Sequence, residues 1–147
     1  MNVDTGKLDE AIAAVKADVA ADASNKERDA QFLLGLGSNA YKAGVASKKP
    51  EDFQKAIKLL QASDEINASP QAKFFTAVSA WQVLAPSLQQ GKSWKCADAR
   101  AAEANLTLVS TNMPGGGSVS AEAAGQIMGA VPQAQQYIDA QSKRLCK

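Results

Sequence analysis

Few residue types in this chain could carry out nucleophilic or metal chemistry. The 147 residues include no histidine, which removes Ser-His-Asp and Cys-His nucleophile systems and every zinc site that needs a histidine. Cys96 and Cys146 are the two cysteines, and their spacing is not that of a C-x-x-C redox pair or a cysteine-rich metal site. We therefore predict that the chain has no catalytic residues, no metal ligands and no cofactor.

Two further features resemble chemical motifs by letter alone. Asp64 and Glu65 are adjacent acids, but neighbouring residues on a helix point in different directions, so we interpret them as part of a solvated face. The glycine run at residues 115–117 lacks the lysine and the preceding strand of a phosphate-binding loop. We interpret that run as a flexible connection, and the prediction is a protein that is not an enzyme.

The two cysteines are predicted to form a disulfide, because two thiols in a chain are what one covalent link needs. Closing a loop of about 50 residues would stabilise the fold by about 4 kcal/mol. A Cys96–Cys146 bond would place the protein in an oxidising compartment, either a bacterial periplasm or the cell exterior. The alternative is two free thiols in a cytosolic protein, with Cys96 as a small buried hydrophobe.

Composition indicates closely packed helices and excludes several partners. Hydrophobic residues make up 46% of the chain but aromatics only 5%, and alanine, which carries much of the difference, favours helix and buries little area. The net charge is +1 with both signs interspersed, which argues against nucleic acid and against a polybasic membrane anchor. No apolar run approaches the roughly 20 residues of a membrane span. Met1 to Thr5 has no signal-peptide character, and one interpretation is a mature form with an initiator Met added at a cleavage point.

Apolar residues recur at helical spacing and predict about seven helices. The first, over residues 5–23, has four aliphatic side chains on one stripe. Prolines at the first turn predict the starts of the third and fourth helices. Pro86 is predicted to kink the fourth helix or to end its regular part, and Gly91 to close it. Residues 113–118 are predicted to break the chain before a sixth helix at residues 119–131. Pro132 is then predicted to start a seventh.

The stretch from Ser24 to Ile66 resembles a tetratricopeptide repeat (TPR), through Leu34-Gly35 in one helix and Phe53-x-x-Ala56 in the next. Residues 30–36 also align with residues 72–78, which indicates an internal repeat. The resemblance implies an all-α fold with residues 1–147 in one TPR-like domain. Its parts are a capping helix at 1–23 and antiparallel hairpins at 24–67, 69–111 and 118–147, stacked as a right-handed array. A generic helical bundle is the alternative.

The resemblance also implies a function, because the first helices of successive TPR hairpins line a concave surface that commonly takes peptides. It favours a protein or peptide partner bound in that groove, and the candidate lining residues are Asn39, Tyr41, Lys42, Lys73 and Gln82. The alternative is a periplasmic carrier of an apolar small molecule or lipid, held in a cavity that small core side chains and Pro86 leave between the helices. A homodimer is left open.

Two consequences of the stacked hairpins can be checked in the structure. A third hairpin would set the seventh helix parallel to the fifth, with Cys146 at the far end from Cys96, so the bond would require a short, tilted or returning last helix. Gly35 and Gly37 each cost up to about 1 kcal/mol relative to alanine inside a helix. That cost predicts close approach to a neighbouring helix, so Gly35→Leu is predicted to be destabilising.

Overall fold

The computed structural model describes residues 5–89 and 93–147 of the chain, so the predictions at Met1 and Gly91 lie outside the described residues. Within these ranges the protein is all-α, as predicted, and has no strand. Its elements are α1 (Thr5–Ala21), a short 3-10 turn (Ala23–Asn25), α2 (Lys26–Ser47), α3 (Pro50–Ile66), α4 (Pro70–Ser87), α5 (Cys96–Gly116) and α6 (Ala121–Leu145). In this described part, no helix is both long and apolar enough to cross a membrane.

Local signals account for most helix starts. Pro50 and Pro70 occupy the first turns of α3 and α4, where a missing backbone N–H costs nothing. Ser69 and Ser120 cap α4 and α6, since each hydroxyl accepts a hydrogen bond from the backbone N–H three positions ahead. Ser24 does not cap α2, whose N-cap residue is Asn25. Ser24 lies in the 3-10 turn, where the Asp22 carboxylate accepts from its backbone N–H at 3.0 Å.

The helices alternate between two layers. Helices α2 and α3 pack closely as an antiparallel pair, as do α4 and α5. Within one layer α1 runs parallel to α3, since Lys58 pairs with Asp9 at 3.0 Å and, seven residues along both helices, Glu65 pairs with Lys16. In the other layer, Tyr41 of α2 contacts an aromatic of α4, and α6 packs along α4 and α5 in shared apolar clusters. Helices α1, α3 and α5 therefore form one layer, and α2, α4 and α6 form the other.

The predicted sixth and seventh helices are one helix, so the prediction of seven helices is wrong for the described chain. Pro132 lies inside α6 and is exposed, so the carbonyl that loses its helical donor lies on the side that water reaches. Beyond the proline, Ala134 and Ile138 are buried against α4 and α5, and this packing maintains the helix. Residues 118–147 are therefore not a hairpin. The break predicted at residues 113–118 also begins later, because α5 continues through Pro114 to Gly116.

The close helix contacts in the first pair form at Gly37 and Gly44 rather than at Gly35. A Cβ on Gly37 would lie 2.6 Å from Leu60 Cγ, and one on Gly44 would lie 2.8 Å from Phe53 Cδ1. A Cβ on Gly35 would meet no described atom within 4 Å. The prediction for Gly35→Leu is therefore wrong in its reason, because Gly35 lies on the side of α2 that faces away from α3.

Candidate functional site

Cys96 and Cys146 form a disulfide with their Cα atoms 5.0 Å apart, which confirms the predicted bond. Cys96 begins α5 and Cys146 follows the last residue of α6. The geometric conflict expected for a third hairpin does not arise. Because α6 is one helix that returns antiparallel to α5, its end comes back to the place where α5 starts.

A cavity near this end of the molecule lies between α4 and α6 and has a volume of about 440 Å³. We call it cavity 1. This volume is within the range of about 300–1,000 Å³ that is usual for ligand sites. Three alanines among its lining residues leave the space, while an indole and a phenol form its aromatic walls. Its lining consists of Trp81, Ala85, Leu88, Ala130, Gln133, Ala134 and Tyr137.

Residues outside cavity 1 hold the Tyr137 ring of its aromatic wall in place. The Trp94 ring is buried and meets the Tyr137 ring edge to face, with 5.3 Å between the centroids. Its indole N–H donates to the Ser87 carbonyl at 3.0 Å, which ties the segment before α5 to the end of α4. Leu145 and Cys146 pack against the same apolar cluster. The disulfide and the Trp94 hydrogen bond therefore hold Tyr137 in place.

A second cavity, of about 300 Å³, lies between the ends of α2 and α4. We call it cavity 2, and Gly44, Val45, Lys48, Phe53, Gln82 and Pro86 line it. Val45 is 49% exposed at its edge. Lys48 ends α2 in the left-handed region, with φ at 59°, and its N–H donates to the Gly44 carbonyl. Lys48 is the one charged residue in this lining.

The five residues predicted to line a groove have different surroundings. Gln82 lines cavity 2. Tyr41 is half-buried between Phe53 and Phe75, and this burial raises the pKa of the Tyr41 phenol. Asn39 and Lys42 are exposed on α2. Lys73 donates to both carboxylate oxygens of Asp64, at 2.6 and 2.7 Å, and its stem covers the backbone of Gly115.

Sequence reasoning missed the α6 wall of cavity 1. Ala130, Gln133, Ala134 and Tyr137 recur at helical spacing, but this pattern is interrupted on paper once Pro132 is taken as a helix boundary. If the helix is read through the proline, these residues fall on one face. The signal was therefore present in the sequence, and the proline rule concealed it.

A charged cluster joins α1 to α2 away from both cavities. Arg28 pairs with Asp18 at 3.0 Å and with Asp29 at 3.1 Å. Asp29 is buried, and its second carboxylate oxygen has no hydrogen-bond donor among the described residues. The hydrogen bond between the two carboxyl groups raises the pKa of Asp18 and lowers the pKa of Asp29. A proton on Asp18 would therefore satisfy the buried oxygen of Asp29.

This cluster predicts a specific pH dependence. Because the folded pKa of Asp18 is raised, its stabilising contribution is present at pH values below its unfolded pKa and is lost as pH rises through the folded value. Asp29, whose pKa is lowered, loses its contribution only as pH falls through its own folded value. Asp18→Asn keeps a donor for Asp29 at every pH. We expect the wild type to lose stability relative to Asp18→Asn as the pH rises from about 4, near the ordinary pKa of an aspartate, through the raised folded pKa of Asp18.

Thermal melting of both proteins across this range, with the exposed Glu10→Gln as a control for charge removal from α1, checks the expectation. The control removes the same charge from the same helix outside the cluster. A constant difference in melting temperature between wild type and Asp18→Asn from pH 4 to pH 7 would contradict it, because the two carboxyl groups would then not share a proton.

No protein-family model, curated protein sequence or solved structure matches the chain. Among residues 5–89 and 93–147, no group of three or more acids or cysteines is arranged to hold a metal ion. The two cavities beside α4 share one helix and have aromatic walls, and we base the proposed function on them.

Proposed function

We propose that the protein is a non-enzymatic binding module that takes a peptide, or an extended segment of a partner protein, on the face formed by α2, α4 and α6. The observation that carries the proposal is cavity 1, about 440 Å³ between α4 and α6. Cavity 2 lies on the other flank of α4, on the same face. Two separate recesses along one face suit a ligand with several side chains.

The chemistry of the linings fits such a ligand. Trp81 and Tyr137 in cavity 1 and Phe53 in cavity 2 offer aromatic walls to apolar side chains, and burying one such side chain contributes about 1.5–3 kcal/mol. Gln82 and Gln133 each offer an amide that both donates and accepts hydrogen bonds. These two side chains can pair with the backbone of a bound peptide.

The alternating layers support a TPR-like array as part of this proposal. In such an array the first helices of successive hairpins lie side by side and form the binding face. Here α2, α4 and α6 occupy those places, with α6 as a single closing helix instead of a third hairpin. The right-handed sense of the array belongs to the same proposal.

The disulfide supports a location in an oxidising compartment. Disulfides persist in secreted and periplasmic proteins and are rare where thiols are kept reduced. Since Cys96 and Cys146 are bonded, we propose that the protein meets its partner in a bacterial periplasm or outside the cell.

Carriage of an apolar small molecule or lipid is the second candidate, and the alanine-rich lining of cavity 1 favours it. Ala85, Ala130 and Ala134 leave a recess large enough for part of such a molecule. The two candidates differ in their ligand and can be separated by one pair of variants.

The test fills cavity 1 with a tryptophan. Ala130→Trp places an indole in the cavity, whereas Ala140→Trp places the same side chain on the exposed side of the same helix. Peptides selected from a random displayed library against the wild type are expected to bind Ala140→Trp equally and Ala130→Trp at least about tenfold more weakly. Isothermal titration of the selected peptides measures both.

A fluorescent fatty acid titrated into the same three proteins tests the carrier. Binding of the fatty acid that Ala130→Trp removes, together with failure to select any peptide, would replace the peptide proposal with the carrier. Selected peptides that bind all three proteins equally would show that cavity 1 is not the site.

A further inference from the structure

We infer that the ligand of this face is an acidic peptide segment, whose apolar side chains enter the cavities while its carboxylates pair with three cations beside them. These cations are Lys42, Lys48 and Arg144, which we call the cationic rim. The inference rests on the proposed function and specifies the chemistry of its ligand. Three observations carry it: the separation of charge between the two layers, the positions of the rim residues, and the absence of ion pairs to them among the described residues.

The fold separates charges that are interspersed along the chain. Helices α1, α3 and α5, which we call the back layer, contain nine acidic and five basic residues, a net charge of −4. Helices α2, α4 and α6 contain four acidic and six basic residues, a net charge of +2. The side of the molecule that carries the cavities is therefore the positive one, and it attracts an anionic ligand.

The acidic residues of α2, α4 and α6 lie away from the cavities. Helix α4 has none. Glu27 and Asp29 lie in the first turn of α2 and Glu122 in the first turn of α6, whereas later turns line the cavities. Asp139 is two residues from Tyr137 and therefore about 200° around α6 from it. The Asp139 carboxylate also accepts a hydrogen bond from a neighbouring glutamine at 2.8 Å. No acidic residue lines either cavity.

Two rim cations belong to the last turns of α2. Lys48 lines cavity 2 and follows the last residue of the helix. Lys42 is exposed and lies three residues before Val45, which lines the same cavity. Because residues three apart are neighbours on a helix surface, both ammonium groups lie beside cavity 2. A ligand with an apolar side chain in this cavity can therefore pair an adjacent carboxylate with either of them.

The third rim cation continues the stripe of α6 that lines cavity 1. Gln133 and Tyr137 are four residues apart and line the cavity, and Gln141 and Arg144 follow at intervals of four and three residues. This spacing places all four on one side of the helix. The Arg144 guanidinium donates to the Gln141 side chain at 2.6 Å. It lies about 10 Å beyond Tyr137 along the helix axis, within reach of the next residues of a ligand that occupies cavity 1.

The rim cations are available to a ligand. Among residues 5–89 and 93–147, none of the three forms an ion pair. In the back layer, by contrast, Lys16 and Lys58 pair with acids of the same layer. Helix dipoles favour basic residues in the last turn of any helix, but α1, α3 and α5 have none there. A general requirement of helix stability therefore does not explain why these cations lie beside the cavities.

Other anionic ligands fit this arrangement less well. A fatty acid has one carboxylate, which can pair beside one cavity only, whereas the rim has cations beside both. A nucleic acid requires a basic stripe, and a net charge of +2 spread over three helices does not form one. An acidic peptide has carboxylates next to each of its apolar side chains, so it matches both cavities and the rim.

The experiment selects peptides from the random displayed library against the wild type at low salt, where exposed charges are least screened. The selected peptides are expected to contain more aspartate and glutamate than the unselected library. Isothermal titration is expected to show that their binding weakens as salt is added. Replacing the acids of the best peptide by asparagine and glutamine is expected to weaken binding at least about tenfold, since each exposed ion pair that is lost costs about threefold.

A matched pair of triple variants locates the charges that the peptide meets. The rim variant replaces all three rim cations by glutamine. The control combines Lys7→Gln, Lys55→Gln and Arg100→Gln, which removes the same charge from the back layer. The rim variant is expected to bind the best peptide at least about tenfold more weakly than the wild type, and the control less than about twofold. Circular dichroism and the mass of the intact disulfide show that each variant is folded.

Equal affinity of the two triple variants overturns the inference, as do selected peptides without an excess of acidic residues. The proposed function is judged separately, by Ala130→Trp. Peptides that lose affinity with Ala130→Trp but have no acidic preference leave a binding module whose ligand is not acidic. If no peptide is selected, both proposals fail. In that case, binding of the wild type but not the rim variant to phosphatidylcholine–phosphatidylglycerol vesicles would assign the rim to a membrane surface instead.

Discussion

Breaking the Cys96–Cys146 bond is expected to lower the free energy of unfolding by about 4 kcal/mol. The bond joins residues 50 positions apart, and in the chain-entropy model a loop of this length restricts the unfolded chain by about that amount. A typical domain has only 5–15 kcal/mol of net stability, so the loss is a large share. Here the bond also closes the open end of the α5–α6 pair, next to the Trp94–Tyr137 contact.

Urea denaturation of the wild type with and without reductant, and of the double variant Cys96→Ala, Cys146→Ala, measures this loss. The reduced wild type and the double variant are expected to share one lower midpoint, and reductant is expected to leave the double variant unchanged. Equal midpoints for oxidised and reduced wild type would contradict the expectation. The peptide binding that we propose is expected to weaken along with stability, since Tyr137 loses the support of the disulfide.

Structural features that depend on interactions within a few residues could be predicted from the sequence. The starts of α3 and α4 at Pro50 and Pro70 depend on the chemistry of the first helical turn alone, and the structure has both. The disulfide could also be predicted, because it required only that two cysteines had no other evident role. These features do not depend on how distant helices pack.

Features decided by packing could not be predicted in the same way. The local rule that proline breaks a helix predicts boundaries near Pro114 and Pro132, but both lie inside helices. The apolar residues that follow Pro132 pack on α4 and α5, and this packing maintains α6. The internal repeat misleads for the same reason. Phe32 and Phe74 align in sequence, but Phe32 is 57% exposed and Phe74 only 9%, because α5 and α6 cover Phe74.

The candidate site contains both kinds of feature, those set by local sequence and those set by helix packing. Gln82 is one of the groove candidates that the TPR resemblance implies, and it lines cavity 2. The α6 wall of cavity 1 could be recognised only by reading the helix through Pro132, against the local rule for proline. The sequence also does not show which glycine of α2 contacts a neighbouring helix. Gly35 and Gly37 are two positions apart, and only the orientation of α2 on α3 decides that Gly37 is the one in contact.

Gly116→Ala is expected to destabilise the protein by about 3 kcal/mol, at the upper end of the usual cost of overpacking. Gly116 is buried at the end of α5, and a Cβ there would lie 2.5 Å from the backbone nitrogen of Phe74 and 2.6 Å from its Cα. Both are main-chain atoms, so no side chain can rotate away. The neighbouring Lys73–Asp64 pair and the Ser69 cap hold that turn of α4 in place.

The control is Gly125→Ala on α6, where an added Cβ meets no described atom within 4 Å. Alanine favours helix over glycine by up to about 1 kcal/mol, so this variant is expected to be more stable than the wild type. Urea denaturation of the two variants therefore gives shifts of opposite sign for the same chemical change. If Gly116→Ala unfolds at or above the wild-type midpoint, then α4 and α5 do not touch through their backbones at Gly116, and the close packing of this pair is wrong.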